Sequence, residues 1–150
     1  MKISEITTRN APTIRPNSTL REAALAMRSA EIGVLPVVED GRVVGTLSER
    51  DLAVKGCCIG ADPRNDTVAA LFNRAPIVCL GHESLKSALA LMRERRETWL
   101  VVLDRDKAVA GVVSLVELLD ILESLVPEDN DDGPVPDYVW RVRGGEDTDG

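Results

Sequence analysis

The sequence predicts an α/β fold of the α+β kind: two βαββα repeats packed through their sheets into one pseudo-symmetric module, followed by an acidic C-terminal tail. Three observations carry this. Displaced by 64 to 66 residues, the chain matches itself, with Arg9-Asn10-Ala11-Pro12 on Asn73-Arg74-Ala75-Pro76 and Thr19-Leu20 on Ser84-Leu85. In each copy a helical hydrophobic period gives way to β-branched runs. Both copies then close on the same pattern of glycine, two residues, serine, two residues and an acid.

Ile3 to Thr7 reads as a short lead-in helix and Thr13-Ile14 as a first strand. Leu20, Ala23, Ala24 and Met27 recur at i, i+3, i+4 and i+7, one apolar helix face, and Thr19 followed by Glu22 has capping-box spacing. Val34-Leu35-Pro36-Val37-Val38 reads as a buried strand. Asp40-Gly41 ahead of Val43-Val44 is a two-residue hairpin signal, because a type I′ turn needs positive φ at both central positions. Gly45-Thr46-Leu47-Ser48-Glu49-Arg50-Asp51 then leads into a second helix. The stretch from Gly56 to Arg64 reads as a loop, after which Asp66-Thr67 caps a short helix through Phe72 that echoes Ile3 to Thr7.

The second copy repeats this order. Ser84 is an N-cap without a reciprocal Glu, and Leu85, Ala88, Leu89 and Met92 form the helix face. Trp99-Leu100-Val101-Val102-Leu103 reads as a strand, Asp104 to Lys107 as a looser turn, and Gly111 to Glu117 as the second closing motif. Leu115, Leu118, Leu119 and Leu122 make an apolar stripe on the last helix, suited either to the core or to a dimer. The copies are delimited as 1–60 and 61–126, with 127–150 as linker and tail. A unit of about 60 residues buries little surface by itself, so the two are expected to share a core.

The composition, 44% hydrophobic and 29% charged with mean hydropathy -0.04, fits a soluble globular chain. No apolar run approaches the ~18 residues of a membrane span, and MKISEITTRN lacks the apolar segment of a secretion signal, so a cytoplasmic location is expected. Residues 1–126 hold 16 Lys and Arg against 17 Asp and Glu, whereas residues 127–150 hold 2 against 8. This balance disfavours nucleic acid as a partner. Cys57, Cys58 and Cys79 form no disulfide framework, and the single histidine, His82, gives neither a metal cluster nor a base for a nucleophile. No metal and no catalytic residues are expected. In the tail, Tyr138, Trp140 and Val142 share one side of an extended segment, fit either to dock on the domain or to meet a partner.

Gly33-Val34-Leu35-Pro36-Val37 followed by Gly45-Thr46-Leu47-Ser48-Glu49-Arg50-Asp51 resembles the cystathionine-β-synthase (CBS) domain, and the two copies resemble a CBS pair, or Bateman module, over roughly residues 1 to 125. The resemblance implies a stand-alone regulatory module that forms a homodimer. It further implies an adenosine-containing ligand in the cleft between repeats, AMP, ADP or ATP ahead of S-adenosylmethionine or NAD, and an effector protein that responds to occupancy.

The residues fit that chemistry. A ribose diol is well held by a carboxylate accepting two charge-assisted hydrogen bonds, the task assigned to Asp51. Ser48 at a helix start can donate to a phosphate, with the freed N–H groups and the positive dipole end beside it, and Arg50 is a further phosphate candidate. Thr13, Ile14, Leu35 and Pro36 are, by the resemblance, the adenine-side wall. The second copy departs from the pattern: Leu100-Val101 stands for Leu35-Pro36 and Glu117 for Asp51, so Trp99, Leu100, Ser114 and Glu117 make at most a weaker site. A competing reading makes Ser48-x-x-Asp51 and Ser114-x-x-Glu117 capping boxes and nothing more, in a ligand-free interaction scaffold.

Overall fold

A computed structural model describes residues 1–127. The acidic linker from Glu128 and the Tyr138 and Trp140 segment lie outside the described residues.

The chain begins with a 3₁₀ turn, Ile3–Glu5, and a two-residue strand, β1 (Thr8–Arg9). Helix α1 (Leu20–Ala30) starts at the expected capping box, in which the Glu22 N–H donates to the Thr19 hydroxyl and the Thr19 N–H to the Glu22 carboxylate, both at 3.1 Å. Strands β2 (Val34–Glu39) and β3 (Arg42–Ser48) form the antiparallel hairpin. Its turn residues Asp40 and Gly41 have φ of 50° and 74°, as a type I′ turn requires. Residues 49–58 are one helical stretch, a π-helical turn at Asp51–Lys55 running into helix α2 (Gly56–Cys58). Cys57 and Cys58 therefore sit on a helix end and not in the expected loop, which starts beyond them.

A 3₁₀ turn at Val68–Ala70 opens the second copy, shorter than the expected helix through Phe72, and Thr67 makes no side-chain cap. Then come β4 (Val78–Leu80), α3 (Leu85–Arg95), β5 (Trp99–Leu103), β6 (Val109–Ser114) and α4 (Leu115–Leu125). Ser84 caps α3 through the Ser87 N–H at 3.1 Å. The strand expected at Thr13-Ile14 shrinks to one parallel bridge from Ile14 to Val37. Pro16 follows it without an N–H to give. In the second copy Gly81 stands in that place and donates to Leu103 O at 2.8 Å, so β4 runs parallel to β5 as a proper strand.

The sheets are β1-β6-β5-β4 and β2-β3, and their order holds a feature beyond simple repetition. Each lead-in segment serves the other copy. Ile3 and Ser4 donate to Glu83 O (3.0 Å) and Gly81 O (2.8 Å), while Val68 and Ala69 donate to Ser18 O (2.9 Å) and Pro16 O (2.8 Å). Beyond these turns Thr8–Arg9 pairs with Gly111 and Val112 of β6, and Asn73 exchanges hydrogen bonds of 3.0 and 2.8 Å with Thr46 of β3. Ile3, fully buried, packs with Cys79, Leu85 and Leu118, whereas Val68 packs with Ile14, Leu20 and Leu35. Val101, Leu103 and Val112 of the second copy share a core with Leu35, Val37 and Leu47 of the first, so the sheets meet through a common interior.

That exchange explains the glycine of each closing motif. A Cβ on Gly45 would strike the Asn73 carbonyl oxygen and come within 2.5 Å of Phe72 Cδ2; one on Gly111 would strike the Thr8 carbonyl oxygen. Both glycines let the partner copy's lead-in strand pass close to the backbone.

Candidate functional site

Where β3 ends, the first closing motif turns toward the second copy and forms one wall of a cleft of about 440 Å³. The Asp51 N–H donates to Ser48 Oγ and the Ser48 N–H to Asp51 Oδ2, each at 3.0 Å, so the capping box is formed. Asp51 Oδ1 lies 2.9 Å from Lys55 Nζ, one turn along the π-helical segment. The Asp51 side chain is only 15% exposed, so this carboxylate is held in place and partly screened from water.

The opposite wall comes from the second copy. Arg96 takes a left-handed conformation (φ 55°) that ends α3, and the next N–H, of Glu97, donates to Met92 O at 2.9 Å. This lock fixes the approach to β5 and sets Arg96, Glu97, Thr98 and Trp99 against the motif, with Asn73 and Ile77 beside them. The Trp99 indole lies against Gly33, where a Cβ would meet its Nε1 and approach its Cδ1 to 2.8 Å. Three cations (Arg50, Lys55, Arg96) and three carboxylates (Glu49, Asp51, Glu97) thus line one cleft with polar Thr46, Ser48 and Thr98 and apolar Val34, Val54 and Ile77. Burial raises the carboxyl pKa of Glu97 above the ordinary range and the charge of Asp51 raises it further, with Arg50 and Lys55 opposing.

Of the residues singled out in the sequence, the structure brings Ser48, Arg50, Asp51 and Trp99 into this cleft. Thr13, Ile14, Leu35, Pro36, Leu100, Ser114 and Glu117 lie outside its lining. Leu35 and Leu100 are fully buried in the core, while their neighbours Val34 and Trp99 border the cleft. Thr13 belongs to a separate concavity beside the hairpin turn, with Arg15, Glu39 and Asp40. Lys55, Asn73, Ile77, Glu97 and Thr98 were not singled out. Only Lys55 carried a signal, its i+4 spacing from Asp51.

The second closing motif is bonded differently. Glu117 Oε2 accepts both the Ser114 N–H (2.7 Å) and the Ser114 hydroxyl (2.9 Å), and its Oε1 accepts the Thr8 hydroxyl at 3.2 Å. Ser114 is 7% exposed.

A tandem of βαββα copies, glycines that admit the exchanged strands and a shared cleft at the Ser-x-x-Asp turn agree with the family comparison, in which the CBS domain matches residues 3–55 and 68–124. The chain belongs to the CBS domain family. Its two matches make it a tandem CBS, or Bateman, module. The CBS domain-containing protein YhcV of Bacillus subtilis is 30% identical over 116 residues, 77% of this chain and 81% of that protein. Hypoxic Response Protein I, solved with two coordinated zinc ions, superposes on this CBS pair with a TM-score of 0.70 at 26% identity, over 80% of this chain and 98% of that one. Mycobacterium tuberculosis has the protein of that name. CBSX2 of Arabidopsis thaliana, solved in complex with AMP, has the same fold with a TM-score of 0.70 at 20% identity, over 83% of this chain and 97% of that one. Among the described residues of this CBS pair, no group of three or more His, Cys, Asp or Glu side chains is placed to hold a metal ion, and no helix is long and apolar enough to cross a membrane.

Proposed function

We propose that this CBS pair is a non-enzymatic regulatory protein that binds an adenosine-containing nucleotide, AMP, ADP or ATP, between its repeats and signals occupancy to a separate effector protein. One observation carries the reading: the Ser48-Glu49-Arg50-Asp51 turn of the first copy faces Thr98 and Trp99 of the second across a single cleft. Asp51 keeps lone pairs for a ribose diol, Ser48 has a hydroxyl to give to a phosphate, and Arg50, Lys55 and Arg96 supply positive charge. Ile77, Val54 and Trp99 offer apolar surface to a base. The complex of CBSX2 with AMP supports this ligand class.

Because both copies line the cleft, a ligand that fits one arrangement of the repeats better than another shifts the population by its differential affinity. Val116 and Leu119, 67% and 45% exposed on α4, give the module an apolar face suited to a homodimer. The second reading, a ligand-free scaffold, draws on the fact that both Ser-x-x-acid motifs already form complete capping boxes.

Thermal unfolding in the presence of AMP, ADP, ATP, NAD, S-adenosylmethionine and GTP separates the two. At about a hundredfold above its Kd, a native-state binder adds roughly 2.7 kcal/mol of stability. The adenine nucleotides are expected to stabilise the wild type and Glu117→Ala, and to leave Asp51→Ala unshifted. Both variants keep the serine cap and lose its reciprocal carboxylate bond, about 0.5–1.5 kcal/mol, so the ligand-dependent increment, and not the baseline, is the readout. If no nucleotide stabilises the wild type, the scaffold reading stands.

A further inference from the structure

The two copies differ at one position of the cleft wall in a way that core packing does not explain. Ile32 and Glu97 are equivalent. Each follows a left-handed residue that ends a helix, Glu31 (φ 54°) and Arg96 (φ 55°), and each donates its N–H to the methionine five residues back, at 3.1 and 2.9 Å. Ile32 is 6% exposed and packed in the core. Glu97 is half-buried and lines the cleft instead. Among the described residues its carboxylate has no ion pair within 4.0 Å and no side-chain hydrogen bond. Of the two cations whose charges reach it, Arg50 and Lys55, Lys55 is engaged by Asp51.

A half-buried carboxylate without a partner is unfavourable, and Glu97 sits on a backbone locked by the helix end, which limits its retreat from the cleft. Its charged neighbours in the cleft are Asp51, Glu49, Arg50, Lys55 and Arg96, two further carboxylates against three cations, and on its other side Glu97 borders a concavity lined by Lys86 and Arg93. We propose that Glu97 is a specificity-determining residue that limits the negative charge the cleft accepts, so that affinity falls as phosphates are added to the ligand. This rests on the nucleotide-binding reading of the cleft and names the regulation of ligand choice within it. With Asp51 paired to Lys55, an incoming phosphate finds Arg50 and Arg96, and a second or third phosphate adds negative charge to a cleft whose own charges already balance. At separations near 10 Å and an effective dielectric between that of protein and water, each added charge facing Glu97 weakens binding by about twofold to tenfold.

Protonation removes the barrier. Burial and the Asp51 charge hold the Glu97 carboxyl above the ordinary range, so acidification neutralises it before an exposed carboxylate. The triphosphate then gains on the monophosphate.

The test is calorimetric titration of the full chain with AMP, ADP and ATP at pH 7.5 and pH 5.5, in the wild type and in Glu97→Gln. The wild type is expected to bind AMP more tightly than ATP at pH 7.5. Glu97→Gln is expected to strengthen ATP by about threefold to tenfold more than it strengthens AMP. The ratio of ATP to AMP affinity should rise on acidification more in the wild type than in Glu97→Gln, a comparison that cancels the titration of the phosphates themselves. Equal changes for all three nucleotides in Glu97→Gln, or the same pH response in both proteins, would overturn the proposal. An absence of nucleotide binding in either protein at both pH values would instead overturn the reading of the cleft.

Discussion

Replacing Gly45 by alanine tests the strand exchange directly. A Cβ there collides with the Asn73 carbonyl oxygen and reaches Phe72 Cδ2 at 2.5 Å and Cε2 at 2.7 Å. Backbone oxygen and a buried ring yield poorly, so the Asn73 segment has to move away from β3. Overpacking of this kind costs about 1–3 kcal/mol. Displacement also weakens the hydrogen bonds between Thr46 and Asn73, 3.0 and 2.8 Å, each contributing about 0.5–1.5 kcal/mol. Together these give about 3 kcal/mol, a large part of the ~5–15 kcal/mol stability of an ordinary domain. Two glycines calibrate the figure. Gly41 has φ of 74° with nothing within 4 Å, so Gly41→Ala costs only the left-handed backbone penalty of about 1–2 kcal/mol. Gly56 is helical and meets only Leu71 Cδ1 at 3.5 Å, so Gly56→Ala is neutral or stabilises by up to about 1 kcal/mol. Urea unfolding with a constant m-value ranks the three. A Gly45→Ala protein no less stable than Gly41→Ala would refute the tight crossing of Asn73 over β3.

Ile3→Ala should lose about 2–5 kcal/mol in the same assay despite its place near the chain start, because Ile3 is fully buried in the second copy's core. Burial, aided by the Glu83 carboxylate, pushes the Cys79 thiol pKa up to about 12; at pH 8 a thiol reagent should titrate exposed Cys57 and Cys58 rapidly and Cys79 only on unfolding. Since the folded thiol holds its proton more tightly than the unfolded one, the Cys79 contribution to stability should fall as pH rises from the ordinary thiol range toward 12. Glu97 is likewise raised when folded, so its ionisation opposes folding: Glu97→Gln should be more stable than the wild type at neutral pH, with the gap closing as pH falls through the folded-state value, read by urea titration across pH.

Local structure was legible wherever a few neighbouring residues decide it. Asp40-Gly41 specifies its own turn, and Thr19 with Glu22 and Ser84 with Ser87 specify helix starts, because each partner lies within three residues. The exchange was not legible. A displacement of about 65 residues pairs Ile3 with Val68 equally well whether each packs on its own copy or on the other, so self-similarity is silent on the choice. The cleft was half legible for the same reason. Ser48, Arg50 and Asp51 belong to one motif, but Asn73, Glu97 and Thr98 reach it only through the packing of one copy against the other. Leu35 and Pro36 belong to the same strand as cleft-lining Val34, yet β2 is buried from Val34 to Val37, and in a strand buried on both faces alternation does not tell which residue borders a cavity.

The two Ser-x-x-acid turns share a sequence pattern but differ in what they leave free, and this difference predicts stoichiometry. A carboxylate has about four acceptor sites. At Asp51 one oxygen takes the Ser48 N–H and the other faces Lys55, while the Ser48 hydroxyl accepts the Asp51 N–H and, among the described residues, gives its own proton to no protein group. At Glu117 the Ser114 hydroxyl proton is already given to the carboxylate, and the other oxygen holds the Thr8 hydroxyl from the exchanged strand. A ligand at the second turn would have to replace both of these hydrogen bonds to a charged group, each contributing about 1.5–3 kcal/mol when shielded from water and less where exposed. With the part-buried Ser114 bond at about 1.5 kcal/mol and the exposed Thr8 bond at about 0.5 kcal/mol, the two together weaken binding by about thirtyfold. Calorimetry should therefore count one nucleotide per chain, with Glu117→Ala leaving that number unchanged. Two sites of similar affinity, or a halving of the count in Glu117→Ala, would show that the Thr8 and Ser114 bonds open at no cost.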